Sequence, residues 1–147
     1  MDFDTIVKMS IYETIAKTTK APTSADVAKT LGARVEEVEA AFDRLHKKRL
    51  LVPEPGNMSQ IRMAPPFSGV ETPFLVKVRG KSYYANCVWD ALGVPAALHE
   101  DAIVEASDGH TGEPLTLEVR NGKPVPQACA MHFAVPAARW WDDIIYT

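Results

Sequence analysis

Apolar residues recur at helical spacing through the first third of the chain. Ile6, Val7, Met9, Ile11 and Ile15 form one set, Val27, Ala28 and Leu31 a second, and Val35, Val38, Phe42 and Leu45 a third. Pro22-Thr23-Ser24 opens the second helix with Thr23 or Ser24 as its cap, and Gly32 closes it. The third carries Glu36, Glu37 and Glu39 early and Lys47, Lys48 and Arg49 late, the order that suits the helix dipole. Leu50-Leu51-Val52 and Gln60-Ile61-Arg62-Met63 then read as short strands around a Pro-Gly turn, so the segment predicts three helices followed by a small β-wing.

From Phe67 the period changes to that of strands. Phe74–Val78 and Ser82–Ala85 form a hairpin around Arg79-Gly80-Lys81, and Ala102–Ala106 and Pro114–Val119 form a second pair around a Gly-rich loop. Between them, Cys87–Leu92 and Pro95–Leu98 predict a helix interrupted or restarted near Gly93 and Pro95. Met131–Val135 and Ile144–Thr147 read as further strands, with a helical turn over Pro136–Trp141. The expected fold class is α+β: a winged-helix-like module over residues 1–64, then a mixed or antiparallel β domain over 65–147 with a short cysteine-bearing helix.

Composition supports that division. Only Pro22 precedes residue 53, whereas the other ten prolines follow; residues 1–52 carry nine basic and eight acidic side chains, against seven and eleven beyond. With 147 residues, 46% of them hydrophobic, and no apolar run of membrane-spanning length, the expectation is a cytoplasmic protein with no membrane partner. Its net charge of −3 has the wrong sign for wholesale phosphate binding, and three glutamates stand where a reading helix would meet base edges, so DNA is not the expected partner. Two cysteines are too few for a disulfide framework, and a cytosol keeps them reduced.

Cys87 follows a strand and begins a helix, where unpaired amides and the dipole favour a thiolate. Asp90 lies one turn on, on the same face, and can accept the thiol proton and pass it elsewhere. The plainer alternative is a small buried hydrophobe beside a capping acid. The four histidines are dispersed with no zinc spacing, and Asp108–Gly112 has the composition of a turn. Trp89, Trp140 and Trp141 suit a core more than a ligand pocket, and Cys129, with no acid or base beside it, suits a buried structural thiol.

Three stretches carry a resemblance: Pro66-Phe67-Ser68-Gly69-Val70-Glu71-Thr72-Pro73-Phe74, Tyr83-Tyr84-Ala85-Asn86-Cys87-Val88-Trp89-Asp90-Ala91-Leu92-Gly93-Val94-Pro95, and Thr111-Gly112-Glu113-Pro114-Leu115-Thr116-Leu117. Together they resemble the alkylmercury lyase family, from about Phe67 to the end of the chain. The resemblance implies protonolysis of a carbon–mercury bond to a hydrocarbon and Hg(II), with Cys87 as the mercury nucleophile and Asp90 as the proton relay, both meeting the metal as substrate and product. It implies no resident cofactor; the partners would be an organomercurial, free thiols, and a thiol or protein that accepts Hg(II). The family's second cysteine is expected after the segment matching Ala138–Tyr146, and none stands there. Cys129 lies upstream of that position and does not inherit the role. Weak turnover is therefore expected unless folding brings Cys129 to Cys87, and an uncovered sheet edge is expected to favour a homodimer. The competing reading is a non-catalytic thiol protein that binds soft metals, or a metal-responsive winged-helix regulator.

Overall fold

The computed structural model describes residues 1–146. Three helices come first: α1 (Phe3–Thr18), α2 (Ser24–Leu31) and α3 (Val35–Lys47). In α1 the buried stripe is Val7, Ile11 and Ile15, spaced four apart. Ile6 and Met9, counted with that stripe from the sequence, are 37% and 49% exposed, lying off the face that Val7, Ile11 and Ile15 bury. Thr23 caps α2 and forms a capping box with Asp26, while Gly32 ends it in the left-handed region. Val38, Phe42 and Leu45 of α3 are buried; Val35, at its first position, is not.

The charged residues of α3 are largely spoken for. Arg44 donates twice to Asp4 of α1, at 2.9 and 2.7 Å, and Lys48 adds a third bond at 3.1 Å. Lys47 pairs with Asp43, Glu37 with Arg34, and Ser24 donates its hydroxyl proton to Glu39. Of these, the bonds to Asp4 join α3 to α1 and the Ser24–Glu39 bond joins α2 to α3, whereas Lys47–Asp43 and Arg34–Glu37 are local to α3.

Strands β1 (Val52–Glu54), β2 (Asn57–Ala64) and β3 (Phe67–Ser68) form one antiparallel sheet. The chain leaves it at Gly69, where close packing needs the absent side chain: a Cβ there would stand 1.9 Å from the Ile61 carbonyl oxygen. Gly69→Ala must displace backbone, and is expected to lower stability by about 1–3 kcal/mol. Urea denaturation would check this as a lower midpoint at unchanged slope.

The second sheet has the order β5-β4-β6-β7-β8, from β4 (Leu75–Val78), β5 (Lys81–Tyr84), β6 (Ala102–Ser107), β7 (Pro114–Arg120) and β8 (Lys123–Pro124). Every strand pair is antiparallel, so the mixed alternative falls away. Arg79 and Gly80 both have positive φ, as the two-residue type I′ hairpin turn requires. Between β5 and β6 runs α4 (Val88–Leu98) as one continuous helix with Pro95 inside it, not the interrupted helix expected. A bridge between Phe67 and Ala85 joins the sheets, and the Phe67 ring packs against Tyr12 and Tyr83. Tyr83 and Lys81 donate to carbonyls at the end of α1, at 2.8 to 3.1 Å. One hydrophobic cluster consequently runs from α1 through to β7.

Beyond β8 the sequence reading needs correction. Met131–Val135 forms no strand, and Ile144–Tyr146 is a turn; Thr147 lies outside the described residues. Pro124 and Pro126 withhold the amide protons a ladder needs, so pairing stops after two residues. The helical turn is present as a 3₁₀ turn over Ala137–Asp142. Its neighbours use side chains instead of backbone pairing: Phe133 packs on Trp140 at 5.0 Å, and Trp140 Nε1 donates to Val135. The β7 edge is partly covered by the chain itself, through Val125 N to Glu118 O and Gln127 Nε2 to Thr116 O. Among the described residues no helix is long and apolar enough to cross a membrane.

Candidate active site

The β5–α4 junction brings Cys87 and Asp90 to one wall of a cleft. Cys87 is the N-cap of α4, with extended backbone, and Asp90 is the third residue of the helix. Both are partly buried. Cys87 stands just outside the helical repeat, and it is the N-cap geometry that leaves it on the same cleft wall as Asp90.

The electrostatics depart from the simplest expectation. Burial pushes the Cys87 thiol above its ordinary range, and the neighbouring Asp90 charge adds to that. The amides of Trp89 and Asp90 work in the opposite direction, but no cap hydrogen bond to the sulfur is formed and burial outweighs them. The helix start therefore does not lower the thiol overall: burial outweighs it and favours the protonated form. Burial also raises the Asp90 carboxyl, opposed by a hydrogen bond from Asn86. A thiol that favours its proton thus sits about one turn from a carboxyl that is easier to protonate than in water.

Asn86 was not singled out in the sequence. Its Nδ2 donates to Asp90 Oδ2 at 2.9 Å and to the Phe67 carbonyl at 3.2 Å. Tyr12 of α1 is a second neighbour of this group. Its hydroxyl donates to the Pro65 carbonyl at 2.7 Å, and burial, with the Asp90 charge adding, pushes the phenol up to about 12. Tyr12 stays protonated at any ordinary pH and is not a second proton relay.

The cleft encloses about 590 Å³. Opposite Cys87 and Asp90 its walls are Met63, Phe133, Trp140, Trp141 and Ile144, with Arg49 at the end of α3. Trp140 and Trp141 thus line a pocket instead of filling a core, and Trp89, 62% exposed, belongs to no core either. Such a cavity accepts a small apolar group and presents it to one thiol and one carboxyl.

Cys129 is exposed, not the buried thiol expected. It lines an adjacent cavity of about 860 Å³ together with His110, and this cavity shares Phe74, Val88 and His132 with the cleft. Cys129 is not among the residues lining the Cys87 cleft. Asp108 accepts from the amides of His110 and Thr111, both at 2.8 Å, which is turn chemistry. Among the described residues no three His, Cys, Asp or Glu side chains are grouped to hold a metal ion.

Comparison with solved structures finds the same fold in the mercury-bound form of MerB2, with a TM-score of 0.67 at 22% sequence identity. The similarity covers 87% of this chain and 61% of that one, so the chain spans less than two thirds of that protein's length. No curated protein sequence matches the chain. The family model for alkylmercury lyase, MerB, matches residues 67–147, more than half of the chain and the part that contains Cys87, Asp90 and most of the cleft. On that match the chain belongs to the alkylmercury lyase family.

Proposed function

We propose that this protein cleaves the carbon–mercury bond of organomercurials by protonolysis, with Cys87 binding the metal and Asp90 carrying the proton. The observation that carries this reading is the pairing of a half-buried thiol, Cys87, with a half-buried carboxyl, Asp90, on the lining of one largely apolar cleft; burial raises the proton affinity of both. A soft metal selects sulfur, and the apolar walls suit its organic group.

The steps balance with one thiol from the protein and two from solution. An organomercurial enters as its thiol adduct, R–Hg–SR′. Asp90 takes the Cys87 proton as the sulfur bonds mercury, and R′S⁻ leaves. Asp90 then gives that proton to the carbon; the C–Hg electron pair becomes the C–H bond, and R–H departs. Returning R′S⁻ occupies the second position on Hg(II), and a further R′SH exchanges the metal off Cys87, returning its proton. The net change is R–Hg–SR′ plus R′SH to R–H plus Hg(SR′)₂, with no oxidant or reductant. A thiol from solution supplies the second sulfur, as no second protein thiol lines the cleft among the described residues.

We further propose that residues 1–64 are a winged-helix-like module with a packing role and that residues 65–147 carry the chemistry, in a cytoplasmic setting where free thiols are abundant. Supporting the packing role, Arg44, Lys47 and Lys48 are engaged in ion pairs, while Arg49 and Met63 face the cleft.

The test is phenylmercury with excess thiol. Benzene should form in step with the Hg(II)–thiol complex, and the hydrocarbon should carry one deuterium when the reaction is run in D₂O. No benzene above a thiol-only control would overturn the reading. Tight Hg(II) binding without product would favour the non-catalytic thiol protein.

A further inference from the structure

Asn86 has two amide protons and spends both on oxygens at this site. One goes to Asp90 Oδ2 at 2.9 Å and the other to the Phe67 carbonyl at 3.2 Å, with the Pro66 carbonyl at 3.5 Å. The amide can face only one way. Turned over, its own oxygen would meet the Phe67 carbonyl and the Asp90 carboxyl, two oxygen-to-oxygen approaches without a proton between them. Asn86 Oδ1 is buried and accepts from no protein group. A buried acceptor left without a partner costs about 1–3 kcal/mol, so the two donated bonds dictate the orientation at the expense of the third group.

Asn86 thereby ties the carboxyl on α4 to the backbone of the Pro66-Phe67 segment, which is itself held by β2 and by the bridge to Ala85. In a protonated carboxyl, the oxygen that accepts a hydrogen bond is the carbonyl-like one, and the proton rides on the other. We propose that Asn86 is a positioning residue: by hydrogen-bonding Asp90 Oδ2 while itself anchored on the Phe67 carbonyl, it makes Oδ1 the oxygen that takes the Cys87 proton and delivers it to the departing carbon. This inference rests on the proton-relay reading of Asp90. It goes beyond it in assigning one oxygen of the carboxyl to the transfer and in naming the side chain that selects it.

Among the described residues, Asn86 is the side chain that hydrogen-bonds the Asp90 carboxyl. Tyr12 gives its proton to Pro65, and Arg49, which lines the same cleft, makes no ion pair with Asp90. Asn86 stands four residues before Asp90, just ahead of the α4 cap, so the clamp is built from local sequence and fastened to a distant carbonyl.

Two variants and one measurement on the unaltered protein test the proposal. Asn86→Leu keeps the shape and removes both N–H groups; Asn86→Gln keeps an amide on a longer stem. With phenylmercury and excess thiol, the leucine variant should lose on the order of 10²-fold in kcat at nearly unchanged KM, as expected for a misplaced reacting group. The glutamine variant should recover at least tenfold of that loss. Equal kcat in the leucine variant and the wild type, or equal losses in the two variants, would overturn the assignment. Independently of turnover, one Asn86 side-chain amide proton should lie downfield in the NMR spectrum and move upfield in Asp90→Ala, while the other stays. Should the wild type release no hydrocarbon, the relay reading fails on its own, and an amide resonance indifferent to Asp90→Ala would still refute the clamp.

Discussion

Cys87→Ser is expected to reduce hydrocarbon release from phenylmercury to the level of the thiol-only control, a loss on the order of 10⁴-fold or more given how completely nucleophile removal disables such sites. The hydroxyl is nearly the same size, so the cleft and the Asp90–Asn86 contact should survive. What disappears is the soft donor. A serine oxygen binds Hg(II) poorly in competition with millimolar thiol, and without a protein-held sulfur the organomercurial is not brought to Asp90. The measurement is headspace gas chromatography of benzene, paired with circular dichroism to show that the fold is retained. Turnover within tenfold of wild type would mean that the metal is held elsewhere, and Cys129→Ser would then be the variant to compare. Cys129→Ser itself is expected to leave the rate within about twofold, because Cys129 lines the adjacent cavity.

Asp90→Asn comes next in size, with a loss of roughly 10²- to 10⁴-fold, the range for removing a positioned proton donor. Its pH behaviour distinguishes it from a packing defect. The working state holds one proton between the two groups, Cys87 protonated and Asp90 ionised, before mercury binds. Burial raises the carboxyl, so on the acid side activity should fall at a pH above the ordinary aspartate range as Asp90 becomes protonated and cannot accept the thiol proton. Burial also raises the thiol, so on the alkaline side activity should fall above the ordinary cysteine range, where the shared proton is lost. A bell-shaped profile of kcat/KM is therefore expected for the wild type, reporting the pair instead of either residue alone. Asp90→Asn should remove the acid limb. A wild-type profile with no acid limb, or an Asp90→Asn variant that keeps one, would exclude Asp90 as the relay.

The legible part of this site is its local part. A strand that ends at Tyr84 and a helix that begins at Val88 could be read from periodicity, and the separation of three between Cys87, at the cap, and Asp90 then sets them about one turn apart. The same reasoning could have found Asn86, four residues before Asp90. Nothing in the spacing marks it out, however, because the Phe67 carbonyl that its other proton meets lies far back along the chain. The balance of effects on the thiol is not local either. Dipole and amides are local and visible in sequence, whereas the burial that overrides them comes from elements far along the chain.

The remainder of the cleft was illegible from sequence spacing. Arg49 and Met63 come from the first third of the chain, and Trp140, Trp141 and Ile144 from its last segment. Each had a sufficient local reading: a solvated helix end, a wing strand, core aromatics, a final strand. The final strands were misassigned because alternating apolar residues look alike whether they pair through backbone or merely cover a hollow. Only Pro124 and Pro126 hinted that the ladder could not continue.

Sequence alone determined the helices of the first third, the two hairpins of the antiparallel sheet and the one-turn relation between Cys87 and Asp90, because each follows from a repeat of two or 3.6 residues and its capping residues. Tertiary structure alone decided that burial raises the thiol, that Asn86 links the carboxyl to the Phe67 carbonyl, that Cys129 stands in a neighbouring cavity, and that Phe133, Trp140 and Trp141, from the last segment of the chain, line the cleft beside Cys87. Burial and enclosure depend on chain segments that meet only after folding, and no local pattern records which segments those will be.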